Sequence, residues 1–472
     1  MSQINNTPKE WTAKRLGNIC NIIMGQSPPS STYNSRNIGL PFFQGKAEFT
    51  ELHPIVEKWC SEPNKIAEPN DILLSVRAPV GTTNIASQRC CIGRGLAAIR
   101  YPCHLFLFYY LRHIKNELEK QGTGTTFKAI SGEILKNTNL ILPPLHEQQK
   151  IVEAIEELFS ELDKGVESLK KAKEQLKVYR QSVLKNAFEG KLTEKWRERN
   201  KEKLEPPELL LEKIRKEREE TARKQGKKLK PVKSITEQEL STLPKLPKEW
   251  LWVKIGNIFD VFIGATPSRK IAEYWNGKIN WVSSGEVNFK NIYSTKEKIT
   301  DLGLKNSSTL LHPIDTVMLA MIGEGKTRGQ VSILKAEAAH NQNTAALEVN
   351  PKYFLSNLLY YYFIFVYEKT RNIGSGNNQK ALNKERIQNI HYLLFSKLEQ
   401  LQIVQEIETR LSVCDEMEKT VEESLKKAEK LRQSMLKKAF EGKLTEKWRQ
   451  ENPELISGEN SAEALLSKIK KN

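Results

Sequence analysis

The string AFEGKLTEKWR occupies positions 187–197 and recurs without a change at positions 439–449. The repetition extends beyond the string itself. EQQKIV at 147–152 corresponds to EQLQIV at 399–404, and RQSVLKNAF at 180–188 corresponds to RQSMLKKAF at 432–440. Residues 147–197 and 399–449 therefore align without a gap, which indicates that the chain consists of two related halves.

Fainter matches precede each copy of the string. PKEW occurs at 8–11 and 247–250, and LGNICNIIMGQSP at 16–28 parallels IGNIFDVFIGATP at 255–267. The chain thus consists of two variable segments, each followed by a nearly constant one. Short β-branched runs, Gly/Pro turns and one aromatic helical stretch predict that each variable segment is an α/β domain.

The constant segments carry a heptad pattern, which is typical of a coiled coil. The first seam comprises Ile151, Ile155, Leu158, Leu162, Gly165, Leu169, Ala172, Leu176, Tyr179, Val183 and Asn186. The second comprises Ile403, Ile407, Cys414, Met417, Val421, Ala428, Leu431 and Met435, with local shifts onto Leu411 and Leu425. Each predicted helix must pack its apolar seam against another element, and the simplest such element is the other long helix. Gly190 is predicted to end the first helix.

Composition limits the class of protein. A length of 472 residues exceeds the ~250–300 at which single cores stop growing, so we expect two or more domains. The formal net charge of +17 favours a polyanionic partner, and nucleic acid is the first candidate. The N-terminus lacks the apolar region of a signal peptide, and the Cys and His residues show neither disulfide nor metal-ligand spacing. These features predict a reduced, cytoplasmic protein.

The arrangement resembles the specificity (S) subunit of type I restriction–modification systems. The resemblance rests on LPPLHEQQKIV at 142–152, on the twinned AFEGKLTEKWR and on the paired LGNI and IGNI openings, and it covers essentially the whole chain. One departure is that Pro143-Pro144 of the first copy is replaced by Phe395-Ser396 in the second. The resemblance implies an α/β fold in which two long antiparallel coiled-coil helices separate two target recognition domains, with a pseudo-twofold internal repeat.

The repeat and the resemblance together predict six segments. They are target recognition domain 1 (1–145), coiled-coil helix 1 (146–197), a basic helical linker (198–246), target recognition domain 2 (247–396), coiled-coil helix 2 (397–449) and a C-terminal tail helix (450–472).

The resemblance also implies the function. Such a subunit is not an enzyme; it binds double-stranded DNA at a bipartite, asymmetric sequence, and each recognition domain reads one half. Its helices set the half-site spacing and dock two methyltransferase subunits, and restriction subunits join the complex. No cofactor is expected on this chain, because S-adenosylmethionine, ATP and Mg²⁺ belong to the partner subunits.

Base readout uses Arg or Lys for guanine and Asn or Gln for adenine, so polar loops of the variable segments are the candidate DNA contacts. In the first segment they are Gln26, Ser27, Gln44, Lys46, Arg77, Arg94, Thr125 and Lys128. In the second they are Thr266, Ser284, Glu286, Lys326, Arg328, Asn341, Gln342, Asn378, Gln379 and Lys380. For any one of these residues, a solvated side chain or a phosphate contact is the alternative.

Candidate partner-docking residues lie in the repeated string, at the end of each long helix and just beyond it. They are Phe188, Leu192 and Trp196 in the first copy and Phe440, Leu444 and Trp448 in the second. The aromatic runs 106–110 and 360–365 are predicted to be helical and buried. AMIGEGKT at 320–327 approximates a phosphate-binding loop, but RGQVSIL follows it and reads as a strand, so we predict a β-turn there.

Two other functions are compatible with parts of the pattern. One is a single-chain DNA methyltransferase and restriction enzyme, although no methyltransferase motif of the Asn-Pro-Pro-aromatic type occurs. The other is a coiled-coil scaffold that binds nucleic acid without sequence preference. Binding of S-adenosylmethionine would distinguish the first, and competition between specific and random duplexes would distinguish the second.

Overall fold

The computed structural model describes residues 7–124, 128–224, 226, 232–323, 325–372 and 381–469. The chain forms two compact units: unit 1 comprises residues 1–171 and 421–472, and unit 2 comprises residues 172–420. Unit 1 is therefore assembled from both ends of the chain. The division differs from the linear segments predicted above, because each long helix contributes one part to each unit.

Unit 1 begins with the first α/β segment. Its strands are β1 (Thr12–Arg15), β2 (Asn21–Met24), β3 (Tyr33–Asn34), β4 (Leu40–Phe43), β5 (Trp59–Cys60), β6 (Ile66–Ala67), β7 (Ile72–Ser75), β8 (Thr83–Ile85), β9 (Cys90–Ile92), β10 (Leu96–Arg100) and β11 (Asn139–Leu142). Its helices are α1 (His104–His113), α2 (Lys115–Gln121), α3 (Gly132–Asn137) and the long α4 (Leu145–Phe188), which continues into unit 2.

Unit 2 starts with the end of α4, followed by α5 (Glu194–Asn200), α6 (Pro207–Lys224) and α7 (Glu237–Thr242). Its strands are β12 (Leu251–Lys254), β13 (Asp260–Ile263), β14 (Trp275–Val282), β15 (Glu297–Ile299), β16 (Val317–Ala320), β17 (Val331–Ile333), β18 (Ala338–His340), β19 (Thr344–Glu348) and β20 (His391–Leu394). The remaining helices are α8 (Ile255–Ile258), α9 (Asp301–Lys305), α10 (Ser356–Phe365), α11 (Tyr367–Asn372), α12 (Lys384–Gln388) and α13 (Lys397–Phe440), then α14 (Glu446–Glu451) and α15 (Ala462–Ile469) in unit 1.

The two units share one sheet plan. A four-stranded antiparallel sheet has the order β2-β10-β7-β8 in unit 1 and β13-β19-β16-β17 in unit 2. Beside it, β4 pairs in parallel with β9, as β14 does with β18. A further pair joins the ends of each domain, β1 with β11 and β12 with β20. The predicted α/β class and the internal repeat are therefore confirmed within each unit.

Ion pairs show the direction in which the long helices run inside each unit. In unit 2, Arg180 of α4 pairs with Asp415 and, at 3.1 Å, with Glu418 of α13. In unit 1, Arg432 of α13 pairs with Asp163 of α4. In unit 2, Arg197, which follows the end of α4, also bonds to Glu399 in the first turn of α13, and in unit 1 Arg449 bonds to Glu147 in the first turn of α4. Residue numbers therefore rise along one helix as they fall along the other, so the two segments are antiparallel in each unit.

The seam between the helices departs from the predicted heptads at matching places. Tyr179 and Leu431 are 45% and 47% exposed, although the heptad pattern places both on the seam. Their neighbours Arg180 and Arg432 are half-buried instead, because each arginine pairs with a carboxylate on the facing helix. Met417 is also 52% exposed, so its predicted seam position is wrong.

Aromatic residues fill the core of each unit. The runs predicted to be buried helices lie in α1 and α10, where Phe106, Tyr110 and Phe363 are among the largest fully buried side chains. Gly190 ends α4 with φ = +73°, a left-handed conformation that glycine adopts without strain, as predicted. Among the described residues, no helix combines the length and apolar character needed to cross a bilayer.

Candidate nucleic-acid interface

Five loops of unit 1 meet at one end of the sheets. The Gln26 N–H donates to the Ile92 carbonyl over 3.1 Å, which ties the loop after β2 to β9. The loop after β4 is tied to the β9–β10 turn, since the Gly95 N–H donates to the Gln44 carbonyl over 3.1 Å. Backbone bonds in turn join that turn to the loop after β7, and that loop to the segment that precedes α3. The loops therefore form one continuous surface.

Four of the predicted residues line a depression on this surface. Gln44, Lys46, Arg77 and Arg94 surround a cavity of about 220 Å³, and all four side chains are exposed. None of the residues that line the cavity is acidic, so its field favours an anionic ligand. Gln26 and Lys128 are exposed on neighbouring loops of the same end. The sequence prediction thus identified residues that the fold brings together.

The loop after β2 is held in place by specific contacts. Ser27 Oγ accepts a hydrogen bond from the Arg94 N–H over 3.2 Å. The Tyr33 hydroxyl donates to the Pro28 carbonyl over 2.8 Å, and its ring stacks 4.5 Å from that of Phe42. These contacts fix the loop and the backbone at Arg94 before any ligand binds, which lowers the entropic cost of recognition.

Unit 2 builds the equivalent loop in the same way with different side chains. Thr266 Oγ1 donates to Gln342 Oε1 over 2.5 Å. The indole N–H groups of Trp281 and Trp275 donate to the Ala265 and Ser268 carbonyls, each over 3.1 Å. Two tryptophans therefore hold the loop after β13, where tyrosine holds its counterpart in unit 1.

A glycine in each unit lets the loop after β2 or β13 pass close to the backbone of a neighbouring turn, which joins β9 to β10 in unit 1 and β18 to β19 in unit 2. A Cβ on Gly25 would lie 2.2 Å from the Gly93 carbonyl oxygen, and one on Gly264 would lie 2.0 Å from the His340 carbonyl oxygen. Because the obstructing atom is a backbone carbonyl oxygen in both units, a residue larger than glycine would displace the neighbouring turn. This close approach accounts for the paired glycines of the two opening motifs.

A buried histidine pair supports the turn in unit 2. His340 lies 3.2 Å from His312 between their Nε2 atoms, and its Nδ1 is 2.8 Å from Thr344 Oγ1. Burial and the neighbouring His312 lower the pKa of His340 to about 3, so its ring is neutral at pH 7. His312 Nδ1 in turn contacts Glu348 Oε1 at 2.8 Å. The sequence prediction did not include this network.

Three predicted residues of unit 2 serve the fold. Glu286 accepts hydrogen bonds from the N–H and hydroxyl of Ser283 and from the Lys296 N–H, over 2.8 to 2.9 Å. Arg328 is only 8% exposed and donates to the Arg371 carbonyl over 2.7 Å. Asn341 is 7% exposed, and its Oδ1 accepts from the Asn343 N–H over 3.0 Å. These contacts give the three residues a role in the fold, and their DNA contacts stay a prediction.

The remaining candidates of unit 2 keep their status as predictions. Lys326 and Gln342 are exposed, and Ser284 is half-buried. Lys326 lies in a turn between β16 and β17, which pair as antiparallel strands, so the turn predicted in place of a phosphate-binding loop is confirmed. Thr125, Asn378, Gln379 and Lys380 lie outside the described residues.

The two phenylalanines of the repeated string, predicted to dock a partner, are buried within their own units. Phe188 is 4% exposed, and its ring lies 5.2 Å from that of Tyr362. Phe440 is 2% exposed, and its ring lies 5.1 Å from that of Tyr110. Both rings belong to the core of their own unit. Leu192, Leu444, Trp196 and Trp448 are half-buried, and for these four the docking role stays a prediction.

The string has a structural role that the sequence prediction missed. Glu399, at the start of α13 in unit 2, is fully buried. It accepts hydrogen bonds from Thr193 Oγ1 at 2.7 Å, Arg197 Nε at 2.8 Å and Trp250 Nε1 at 2.9 Å. Arg197 also donates to the Gly190 carbonyl, the residue that ends α4. The string therefore locks the end of one long helix against the start of the other.

Unit 1 repeats this cluster residue for residue. Glu147, fully buried at the start of α4, accepts from Thr445 Oγ1 at 2.7 Å, from Arg449 Nη1 and from Trp11 Nε1 at 2.8 Å. The tryptophans are the last letters of the two PKEW motifs. A signal was present in the sequence, since every member of the cluster recurs, but nothing in the letters paired them.

Comparison with known proteins assigns the chain to a class. Residues 8–177 and 247–427 match the family described as type I restriction modification DNA specificity domain, and the chain belongs to this family. Each matched range lies in one half of the internal repeat. The chain is accordingly the DNA-recognition component of a type I restriction–modification system and not its catalytic component, which confirms the resemblance read from the sequence.

Full-length relatives agree with this assignment. The chain is 25% identical over 474 residues to the type I restriction enzyme EcoBI specificity subunit of Escherichia coli, covering 98% of this chain and 92% of that one. It is 26% identical over 446 residues to the EcoKI specificity subunit of E. coli K12, covering 90% and 86%. A chain from a solved structure of complex assembly in the type I R-M system has the same fold, with a TM-score of 0.67 at 17% identity over 93% of this chain and 99% of that one.

Proposed function

We propose that the chain reads a bipartite, asymmetric double-stranded DNA target, with the loop surface of each unit on one half-site. The main support for this proposal is the cleft lined by Lys46, Arg77 and Arg94, because it brings three cationic side chains together on loops that a sheet supports. Cations bind the phosphate backbone, and forked donors read base edges in the major groove. The same loops with other side chains in unit 2 favour a second, different half-site.

The long helices are proposed to set the half-site spacing and to dock two methyltransferase subunits. The identity of residues 187–197 and 439–449 supports a partner of one kind for both copies, whereas the divergent loops suit different half-sites. Restriction subunits would join the same complex, whose expected location is the cytoplasm. S-adenosylmethionine, ATP and Mg²⁺ would be bound by these partners rather than by this chain.

Footprinting tests the central claim. The full chain, assembled with methyltransferase subunits, should protect two short and different half-sites separated by a fixed gap whose sequence is free. Sequencing of methylated adenines in cells that carry the complex should give the same bipartite motif. Protection of one continuous site, or of random duplex as strongly as any other, would overturn the proposal.

The spacing claim has its own test. Seven residues added to each of α4 and α13 keep the heptad phase and lengthen each helix by about 10 Å at ~1.5 Å per residue. At ~3.4 Å per base pair the gap should then change by about three base pairs, with both half-sites intact. An unchanged gap would remove the helices' role in spacing and leave the two half-sites standing.

A further inference from the structure

The turns that join two equivalent strands, each of which belongs to a different sheet, carry different side chains at their middle residue, which is called the tip below. Unit 1 turns from β9 into β10 at Arg94, and unit 2 turns from β18 into β19 at Gln342. In each unit the residue before the tip donates its N–H to the neighbouring parallel strand, over 2.8 Å in unit 1 and 3.0 Å in unit 2. The carbonyl of the residue after the tip accepts a hydrogen bond from the backbone N–H of the residue that follows β7 in unit 1 and β16 in unit 2, over 2.9 Å in both units. Arg94 and Gln342 therefore occupy the same position of the same turn.

The contacts of the two tips with the preceding loop are also matched. Ser27 in unit 1 and Thr266 in unit 2 follow the equivalent glycines, and each hydroxyl contacts its own tip residue. Ser27 Oγ accepts from the backbone N–H of Arg94, whereas Thr266 Oγ1 donates to the side-chain Oε1 of Gln342. Both tip side chains are exposed. The bond from Thr266 uses one lone pair of Gln342 Oε1. Within the described part of the chain, the second lone pair and both hydrogens of Nε2 are available to a ligand.

The residues that surround the two tips also differ, with cationic side chains in unit 1 and uncharged residues in unit 2. Arg77, which follows β7 by two positions, contributes a second guanidinium to the cleft of unit 1. The residue two positions after the equivalent strand β16 is Ile322, which is half-buried and apolar. Lys46, three positions after β4, has Gly285 as its counterpart after β14. The cleft of unit 1 thus presents three cations, and the equivalent positions of unit 2 hold Gln342, Ile322 and Gly285.

We propose that Arg94 and Gln342 are corresponding specificity determinants, with Arg94 reading guanine in one half-site and Gln342 reading adenine in the other. An arginine fork matches the O6 and N7 acceptors of guanine, whereas a glutamine amide matches the N6 donor and N7 acceptor of adenine. Ile322 suits an adjacent thymine methyl group. The inference rests on the proposed function and deepens it, because it names a base for each unit.

Reciprocal substitution in the full chain tests the assignment. Duplexes selected from a randomised library give the motif of the wild type and of each variant. Arg94→Gln should change one position of one half-site from guanine to adenine, with a shift in preference of roughly 5- to 150-fold. Gln342→Arg should make the opposite change in the other half-site. Each variant carries the prediction by itself, and its melting temperature establishes that it is folded.

Arg89→Gln is the matched control. Arg89 lies at the opposite end of β9, is 58% exposed and pairs with Glu68 at 3.3 Å, so its removal should leave the motif unchanged. A bipartite motif that neither tip variant alters would overturn this inference and leave the proposed function intact. So would changes by both variants in the same half-site. If the wild type selects no bipartite motif, the proposed function itself fails.

Discussion

Arg197 Nε lies 2.8 Å from Glu399 Oε1, although 202 positions separate the two residues. The pair is buried, with exposures of 6% and 0%. It joins the string that ends α4 to the first turn of α13, and Arg449 with Glu147 does the same in unit 1. The two copies of the string therefore have the same role in folding, because each unit is closed by the string of one repeat and the first helical turn of the other.

Removal of the arginine should destabilise unit 2 selectively. Arg197→Ala leaves Glu399 buried without its cation, and such a loss costs about 3–5 kcal/mol. Amide hydrogen exchange of the full chain should show faster exchange in β12–β20 and unchanged exchange in β1–β11. Arg199→Ala, which alters an exposed arginine of the same short helix, is the control. Equal exchange in the two variants would contradict the role of the buried pair.

A second prediction concerns two glycines of the first long helix and its end. Gly190 has a φ of +73°, and a Cβ there would lie 2.6 Å from Pro247 Cγ. Gly190→Ala should therefore lower the free energy of unfolding by about 1–2 kcal/mol. Gly165 lies inside α4 with open space around its Cβ position. Gly165→Ala should raise stability by roughly 0.5–1 kcal/mol. Urea unfolding of the full chain measures both, and shifts of the same sign would refute the conformational argument.

The sequence was sufficient for the broad fold because the heptads are local patterns and the repeat is visible when the two halves of the chain are compared letter by letter. Two α/β segments, two long helices and the helix end at Gly190 all follow from letters close together in the chain. The seam at Arg180 could not be read in this way. A heptad count favours Tyr179, whereas the arginine is drawn to the seam by Asp415, and that partner is known only after the facing helix is placed.

The candidate site was predictable in part for a similar reason. Exposed Gln44, Lys46, Arg77 and Arg94 were found because loop positions and side-chain chemistry are both visible in the sequence. The burial of Arg328 was not predictable, since a basic residue in a turn looks the same in the sequence whether it faces solvent or a buried carbonyl. The role of the string in closing each unit was missed because its carboxylate lies far away along the chain.

The linker helix α6 should make the stability of unit 2 sensitive to acid. Glu217 accepts hydrogen bonds from Lys352 and from the Tyr353 hydroxyl, each over 2.6 Å. The Lys352 bond, and then the Tyr353 bond, lowers the pKa of Glu217 from its ordinary 4.5 to about 2. A lowered pKa in the folded state adds stability above pH 4.5, and this stability is lost as the pH falls towards 2.

Glu217→Gln should therefore flatten the loss of stability between pH 4.5 and 2. Urea midpoints of the full chain at several pH values in this window measure the effect. Glu220→Gln, at an exposed position of the same helix, is the control and should keep the slope of the wild type. If the two variants lose stability with the same steepness, the contacts of Glu217 make no contribution to the acid response.

Lys46 and Arg94 should contribute to DNA binding in different ways, although both border one cleft. Lysine is a point charge on a flexible stem, which suits phosphate, whereas the arginine fork suits a base edge. Lys46→Gln should weaken binding to all duplexes about equally and reduce the slope of log K against log salt by about 0.9. Arg94→Ala should weaken the preference for one base at one base pair of the target, while the slope of log K against log salt stays close to that of the wild type. A salt titration with the selected duplex and a random one separates the two effects. If Lys46→Gln alters base preference while the slope stays constant, Lys46 reads a base and the assignment of roles within the cleft must be reversed.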